Sequence, residues 1–215
     1  MYTGINPSQQ PMTTPDSPLT ASQTLHVVGP DCSLDVRVGQ PNPTTLRISY
    51  EVRNTANLPL YLCNRLYKTI RHDPATNAVV YDVQPNLANV QVVGGQVVVG
   101  KAVVDVPEWM FVEALQIPCL SRVLPGEAFA ETFDLPLPLM PYTVYDYSPV
   151  RGAAVSHPLV VELGYFLASA YTEGFITTVS TPAGPAHYID PFPASDQSLI
   201  SAGPFAEPVA VVNEL

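Results

Sequence analysis

Leu46-Arg47-Ile48-Ser49-Tyr50-Glu51-Val52-Arg53-Asn54 alternates apolar and polar residues without a break, and period-two alternation is what a strand with one dry face requires. Leu46, Ile48, Tyr50 and Val52 are expected to point into a core, and Arg47, Ser49, Glu51 and Arg53 to water. A strand covered on one side belongs to a sandwich of two antiparallel sheets.

Strand signals recur on both sides of it. They cover 25–28, 32–38, 58–63, 78–83 and 90–93, and Gly94-Gly95 stands where a type I′ hairpin turn needs two residues with positive φ. The returning strand, 96–104, is a run of valines rather than an alternation, which suits a strand covered on both faces or bent at Gly100. Residues 107–124 read as a short helix or an irregular apolar crossover between Pro107 and Pro118. After the Leu124-Pro125-Gly126-Glu127 turn comes a strand at 129–135, with Phe129, Glu131, Phe133 and Leu135 in phase. Glu131 breaks that apolar face, so it is expected at a sheet edge or paired with a base. Residues 159–168 and 174–180 read as a hairpin joined through 169–173. The proline-dense stretch 181–208 reads as extended along the surface, apart from a short strand at 198–201, and a last apolar strand follows at 208–212.

The domain organisation expected from these signals is a flexible N-terminal arm at 1–22, a β-sandwich at 23–181 and a proline-rich C-terminal extension at 182–215 with a possible final strand. A chain of 215 residues that is 47% hydrophobic buries roughly 70% of its unfolded surface in one core, so it needs neither disulfides nor a metal to fold. Its 24 prolines disfavour long helices.

Leu46 to Leu62, with an Asn-Thr turn followed by Leu58-Pro59-Leu60-Tyr61-Leu62, resembles the paired strands of bacterial immunoglobulin-like domains. In those domains an alternating strand ends at an Asn and the next begins with an apolar pair. The Leu124-Pro125-Gly126-Glu127 turn is similar to the Leu-x-Pro-Gly-Glu turn common in them. The resemblance implies an all-β fold, an antiparallel immunoglobulin-like β-sandwich with long loops and extended termini. Intracellular proteinase-inhibitor-type domains share both features, so protease inhibition is one activity it implies. It covers about a third of the chain and transfers no functional residue. Residues 85–124 and 136–215 exceed what a minimal domain of ~100 residues needs.

With 19 acidic residues against 9 basic, the formal charge of −10 repels phosphate backbones and anionic membranes, so no nucleic-acid partner is expected. Met1 to Thr20 contains no Lys or Arg and no long apolar run, which reads as no export signal and a cytoplasmic protein, with leaderless export left open. No stretch approaches the roughly 20 apolar residues of a membrane helix, so membrane insertion is not expected. Cys32, Cys63 and Cys119 are an odd, widely spaced trio, read as small buried core residues with one bridge as the alternative.

The chain has no Gly-x-Ser-x-Gly, no Gly-x-x-x-x-Gly-Lys and no His-Glu-x-x-His. His26, His72, His157 and His187 lack the spacing that aims two imidazoles at one metal, and Asp146, Glu162, Glu173 and Asp190 lack that of a calcium loop. No catalytic residue, metal or cofactor is assigned, and the chain is expected not to be an enzyme.

Two features point to binding. Tyr142, Tyr145 and Tyr147 interleave with prolines in the long stretch 136–158 and either offer rigid amphipathic contact area or pack down to close one end of the core. Arg65, Lys68 and Arg71 gather three of nine bases within seven positions and form either a docking patch for an acidic segment or a solvated strand face. The leading expectation is a non-catalytic structural or assembly protein that self-associates, as a homo-oligomer, or docks into a larger complex through its extended termini. The alternative is a monomeric protein-recognition module, such as a protease inhibitor presenting the 136–158 loop. A hydrolase with a loop-borne site is the third.

Overall fold

The computed structural model describes residues 22–146 and 152–212. Alternation builds the first sheet from the N-terminal side: β1 (Gln23–Val28), β2 (Cys32–Asn42) and β3 (Thr45–Asn54) are successive antiparallel neighbours. In β3 Leu46, Ile48, Tyr50 and Val52 are buried while Arg47 and Arg53 are exposed, as the period requires. The chain then crosses over as β4 (Leu60–Arg65), β5 (Tyr67–His72), β6 (Val79–Val83), β7 (Asn89–Val93), β8 (Gln96–Lys101) and β9 (Cys119–Val123). It returns as β10 (Ala128–Pro136), which pairs with β3 and closes the first sheet in the order β1-β2-β3-β10.

The remaining elements are β11 (Ala154–His157), β12 (Leu159–Leu167), a single helical turn α1 (Ala170–Glu173), β13 (Ile176–Thr181), β14 (Gly184–Ile189), β15 (Ser198–Ala202) and β16 (Val209–Val212). β12 is the hub of the second sheet. One of its edges carries β15. The other carries β8, parallel beside residues 159–163, and then β4, antiparallel beside 165–167. β7 flanks β8 and β9 flanks β4, and from β9 the sheet continues through β14, β13 and β6 to the edge strand β5. β11 and β16 form a separate two-stranded ribbon.

The architecture is all-β, with the sheets packed as a sandwich. Leu34, Val36, Ile48, Val52 and Phe133 of the first sheet share one core with Leu60, Leu62, Val97, Val99, Val161, Leu163 and Tyr165 of the second. The far face of the second sheet is covered as well: Tyr61, Cys63 and Phe166 pack with Leu120, Ile189 and Phe192, and the Tyr61 and Phe166 rings stack at 5.3 Å. Burial on both faces explains why Leu60-Tyr61-Leu62-Cys63-Asn64 reads as an unbroken run.

Several expectations need correction. The stretches 159–168 and 174–180 do not form a hairpin, because β12 lies among β4, β8 and β15, and β13 pairs with β14 and β6. The short strand expected at 198–201 is present as β15, but the rest of 181–208 is not an extended surface run: it contributes β14, and Phe205 lies with Ile200 and Ala202 in the main core. The boundary expected after residue 181 falls inside the β13–β14 hairpin, where Thr181 faces Gly184. Of the two readings of 107–124, the helix is absent: the chain runs irregularly from 103 to 118 and ends in β9. β5 and β11 carried no strand signal strong enough to be read. At Gly94 and Gly95 the expected turn has φ of 58° and 81°, a left-handed pair that glycine adopts without strain. The arm at 1–22 lies outside the described residues except for Ser22.

Candidate functional site

The residues singled out for binding go to different places. Tyr142 is half-buried, and its backbone exchanges hydrogen bonds of 2.8 and 2.9 Å with Val90 on β7, so this part of the 136–158 stretch is laid against a sheet edge. Tyr145 is buried, and its hydroxyl oxygen accepts a 2.9 Å hydrogen bond from the Gln116 backbone N–H. It thereby ties the tyrosine stretch to the irregular crossover of 103–118. Tyr147 lies outside the described residues. Arg65 sits at the end of β4, where its Nε donates to Ser121 Oγ at 2.9 Å, whereas Lys68 and Arg71 are exposed on β5. The three bases are therefore divided between an internal contact and an open sheet edge.

The crossover exposes the residues that its composition would send inside. Trp109 is 73% and Phe111 100% exposed, with Val112 beside them also exposed. Their loop is held by a turn in which Met110 N–H donates to Pro107 O at 2.9 Å, and Asp105, Glu108 and Glu113 are exposed around it. Trp109 stands between two hollows. One, of about 370 Å³, is lined by Val90, Val92, Pro107, Pro141 and Tyr142. The other, of about 590 Å³, is lined by Met110, Val112, Val144 and Tyr145. The resulting surface is aromatic at its tip, concave on both flanks and rimmed with carboxylates, which suits a partner segment of apolar and basic residues.

A second constellation lies inside the sandwich. Lys101, 1% exposed at the end of β8, donates from Nζ to Glu131 Oε1 at 2.8 Å and to Pro85 O at 2.9 Å, and lies 4.4 Å from the centre of the Phe133 ring. Glu131 Oε2 accepts from the Tyr50 hydroxyl and, at 3.4 Å, from Asn64 Nδ2, which also lies 3.0 Å from the Tyr50 hydroxyl. Burial lowers the Lys101 ammonium below its ordinary range despite the carboxylate, because an ion removed from water is costly to keep charged. Burial and the adjoining Glu131 charge push the Tyr50 phenol far up. Glu131 meets both parts of its expectation, since it lies on the edge strand β10 and pairs with a base. Its partner went unread, although Lys101 is in phase with the inward Val97 and Val99, and two opposite charges on two inward phases were the available signal.

Burial raises the thiols of Cys32 to about 11 and of Cys63 and Cys119 to about 12, and all three are free. Among the described residues no three His, Cys, Asp or Glu side chains are grouped to hold a metal ion, and no helix is long and apolar enough to cross a membrane.

No protein family, no curated protein and no solved structure matches the chain.

Proposed function

We propose that this chain is a non-catalytic recognition module that binds an apolar, basic segment of a partner protein through the 105–113 loop and the adjoining Pro141 and Tyr142. The observation that supports it is the full exposure of Phe111 beside a largely exposed Trp109. A large aromatic held in water forgoes roughly 1.5–3 kcal/mol of burial free energy, and aromatic residues over a hollow are the side chains that dominate protein interfaces. The buried Tyr145 contact and the Val90–Tyr142 pairing hold the loop's base, so its tip is presented from a fixed platform. The carboxylates at 105, 108 and 113 would steer a basic segment and repel an acidic one.

Trp109 is the only tryptophan in the chain, so its emission reports this surface alone. Selection of displayed random peptides is expected to enrich apolar, basic sequences whose binding shifts that emission to shorter wavelength. The double substitution Trp109→Ala, Phe111→Ser is expected to weaken them by about tenfold or more without moving the urea midpoint. Peptides that bind the double variant as well as the parent overturn the proposal, as does a selection that enriches nothing.

Self-association is a second reading, favoured by β5, an edge strand with Lys68, Ile70 and Arg71 exposed. Assembly through the C-terminal segment has less support, because Ile200, Phe205, Val209 and Val211 are committed to the chain's own core. A dimeric mass by light scattering that reverts to monomer in Ile70→Lys would favour this second reading, and a monomer at all concentrations would remove it.

A further inference from the structure

Glu131 reaches from the edge of the first sheet to the point where two strands of the second sheet meet. β12 accepts β8 and β4 on one edge in succession: Lys101 is level with Leu163, and Leu62 with Tyr165 two residues along. β4 leaves β12 after Leu62, and β8 ends at Lys101. The ends of the two strands therefore converge, and their side chains Asn64 and Lys101, each 1% exposed, both contact the same carboxylate. Glu131 Oε1 is 2.8 Å from Lys101 Nζ, and its Oε2 is 3.4 Å from Asn64 Nδ2. The Asn64 Oδ1 atom is buried with no hydrogen-bond partner, which is costly for an amide that serves packing alone.

We propose that Lys101 and Asn64 become joined by an intramolecular amide bond, with Glu131 as the catalytic carboxylate. An amine, a carboxamide and a carboxylate that touches both reacting nitrogens are the groups that transamidation needs, and they are held together in a dry interior. Neutral Lys101 Nζ attacks Asn64 Cγ, and Glu131 Oε1 takes one proton from Nζ as the new N–C bond forms. The carboxyl group passes that same proton on to Nδ2, the Cγ–Nδ2 bond breaks, and ammonia leaves. Glu131 ends as it began, and nothing is oxidised or reduced. Burial favours the uncharged amine that the attack requires. The Tyr50 hydroxyl, bonded to Glu131 and 3.0 Å from Nδ2, fixes the carboxylate in place. Glu131 is partly exposed, with its side chain at 19%, so the ammonia has a way out. Asn89, the other buried amide with an unpartnered oxygen among the described residues, is not the acceptor. It faces Gly100 across the β7–β8 ladder, on the opposite side of the strand from Lys101, and its Nδ2 is occupied by Ala102 O.

The test is the intact mass of the purified full chain under denaturing conditions. The expected mass is lower than that of the sequence by one ammonia. Trypsin should fail to cut after Lys101 and should release one branched peptide containing both Asn64 and Lys101. Glu131→Gln and Lys101→Arg are each expected to restore the unmodified mass, allowing for the substitution itself. Parent protein that unfolds cooperatively in urea, yet still has its full sequence mass after long incubation at neutral pH, overturns the proposal. So does a loss of ammonia without the branched peptide, or one that persists in Lys101→Arg, since either marks a cyclic imide at an asparagine instead.

Discussion

Asn54 closes the alternating strand β3 and is fully buried at the corner where the chain passes from one sheet to the other. Its Nδ2 donates to Leu58 O at 2.8 Å and to Val123 O on β9 at 2.9 Å, and its Oδ1 accepts from Ala56 N–H at 2.9 Å. One amide thus shapes the turn into β4 and fastens the first sheet to the second. Asn54→Ala removes three hydrogen bonds worth about 0.5–1.5 kcal/mol each and leaves buried backbone groups without partners, so the expected loss is about 3–5 kcal/mol. That is a large part of the roughly 5–15 kcal/mol by which a domain is stable. Asn54→Asp sharpens the prediction because it conserves shape. It keeps the acceptor for Ala56 but sets a carboxylate oxygen against two carbonyl oxygens, so at neutral pH it should cost at least as much as alanine. The buried carboxyl should have a raised folded-state pKa, so part of the loss should return as pH falls and the protonated acid donates one bond. Urea unfolding measures both variants, with the dependence on denaturant unchanged if only stability has moved. An Asn54→Asp protein within about 1 kcal/mol of the parent refutes the reasoning, for the corner would then be held by apolar packing alone.

Two further outcomes follow from buried titratable groups. With the Cys32 thiol pushed to about 11 and those of Cys63 and Cys119 to about 12, no cysteine should react with iodoacetamide in the native protein at pH 8, and three should react in urea. Fast labelling of the folded protein would show that one of them is reached without unfolding. His187 packs edge-on against Tyr61 at 5.6 Å, and its pKa is lowered from 6.5, first by burial and then by Arg122 and Arg65. The unfolded state therefore binds the extra proton first. The stability that neutral His187 contributes is present above pH 6.5 and is lost as pH falls through its lower folded-state value. His187→Gln should flatten that part of the stability curve in urea melts taken across the window. An unchanged slope would mean that other groups set it.

How far the sequence could be read depended on whether each signal was local. Alternation in 46–54, the Gly94-Gly95 turn and the Pro125-Gly126 turn were legible because a dry face, or a positive φ at Gly94, Gly95 and Gly126, leaves its mark on adjacent residues. β14 was hidden by Pro185 and by its proline-dense surroundings, whereas β4 was legible as an apolar run even though burial on both faces removes its alternation. The pairing of β12 was not legible at all, because three non-adjacent strands compete for its two edges and periodicity carries no record of which one wins. The same limit governs the sites. Trp109 and Phe111 are as apolar as the residues of any core strand, and only the folded chain shows that nothing covers them.

Residue order alone settles that this chain is built from strands, where the first sheet keeps its dry face, and that Glu131 needs an edge or a base. Those properties follow from the period of the backbone and from the cost of burying a charge, and both act within a few residues. That Lys101 is the base, that Asn64 lies on the same carboxylate, and that the aromatic crossover is left in water emerge once the whole chain is folded. Each of those depends on segments dozens of residues apart being brought together, and on which surfaces remain once every strand has found its neighbours.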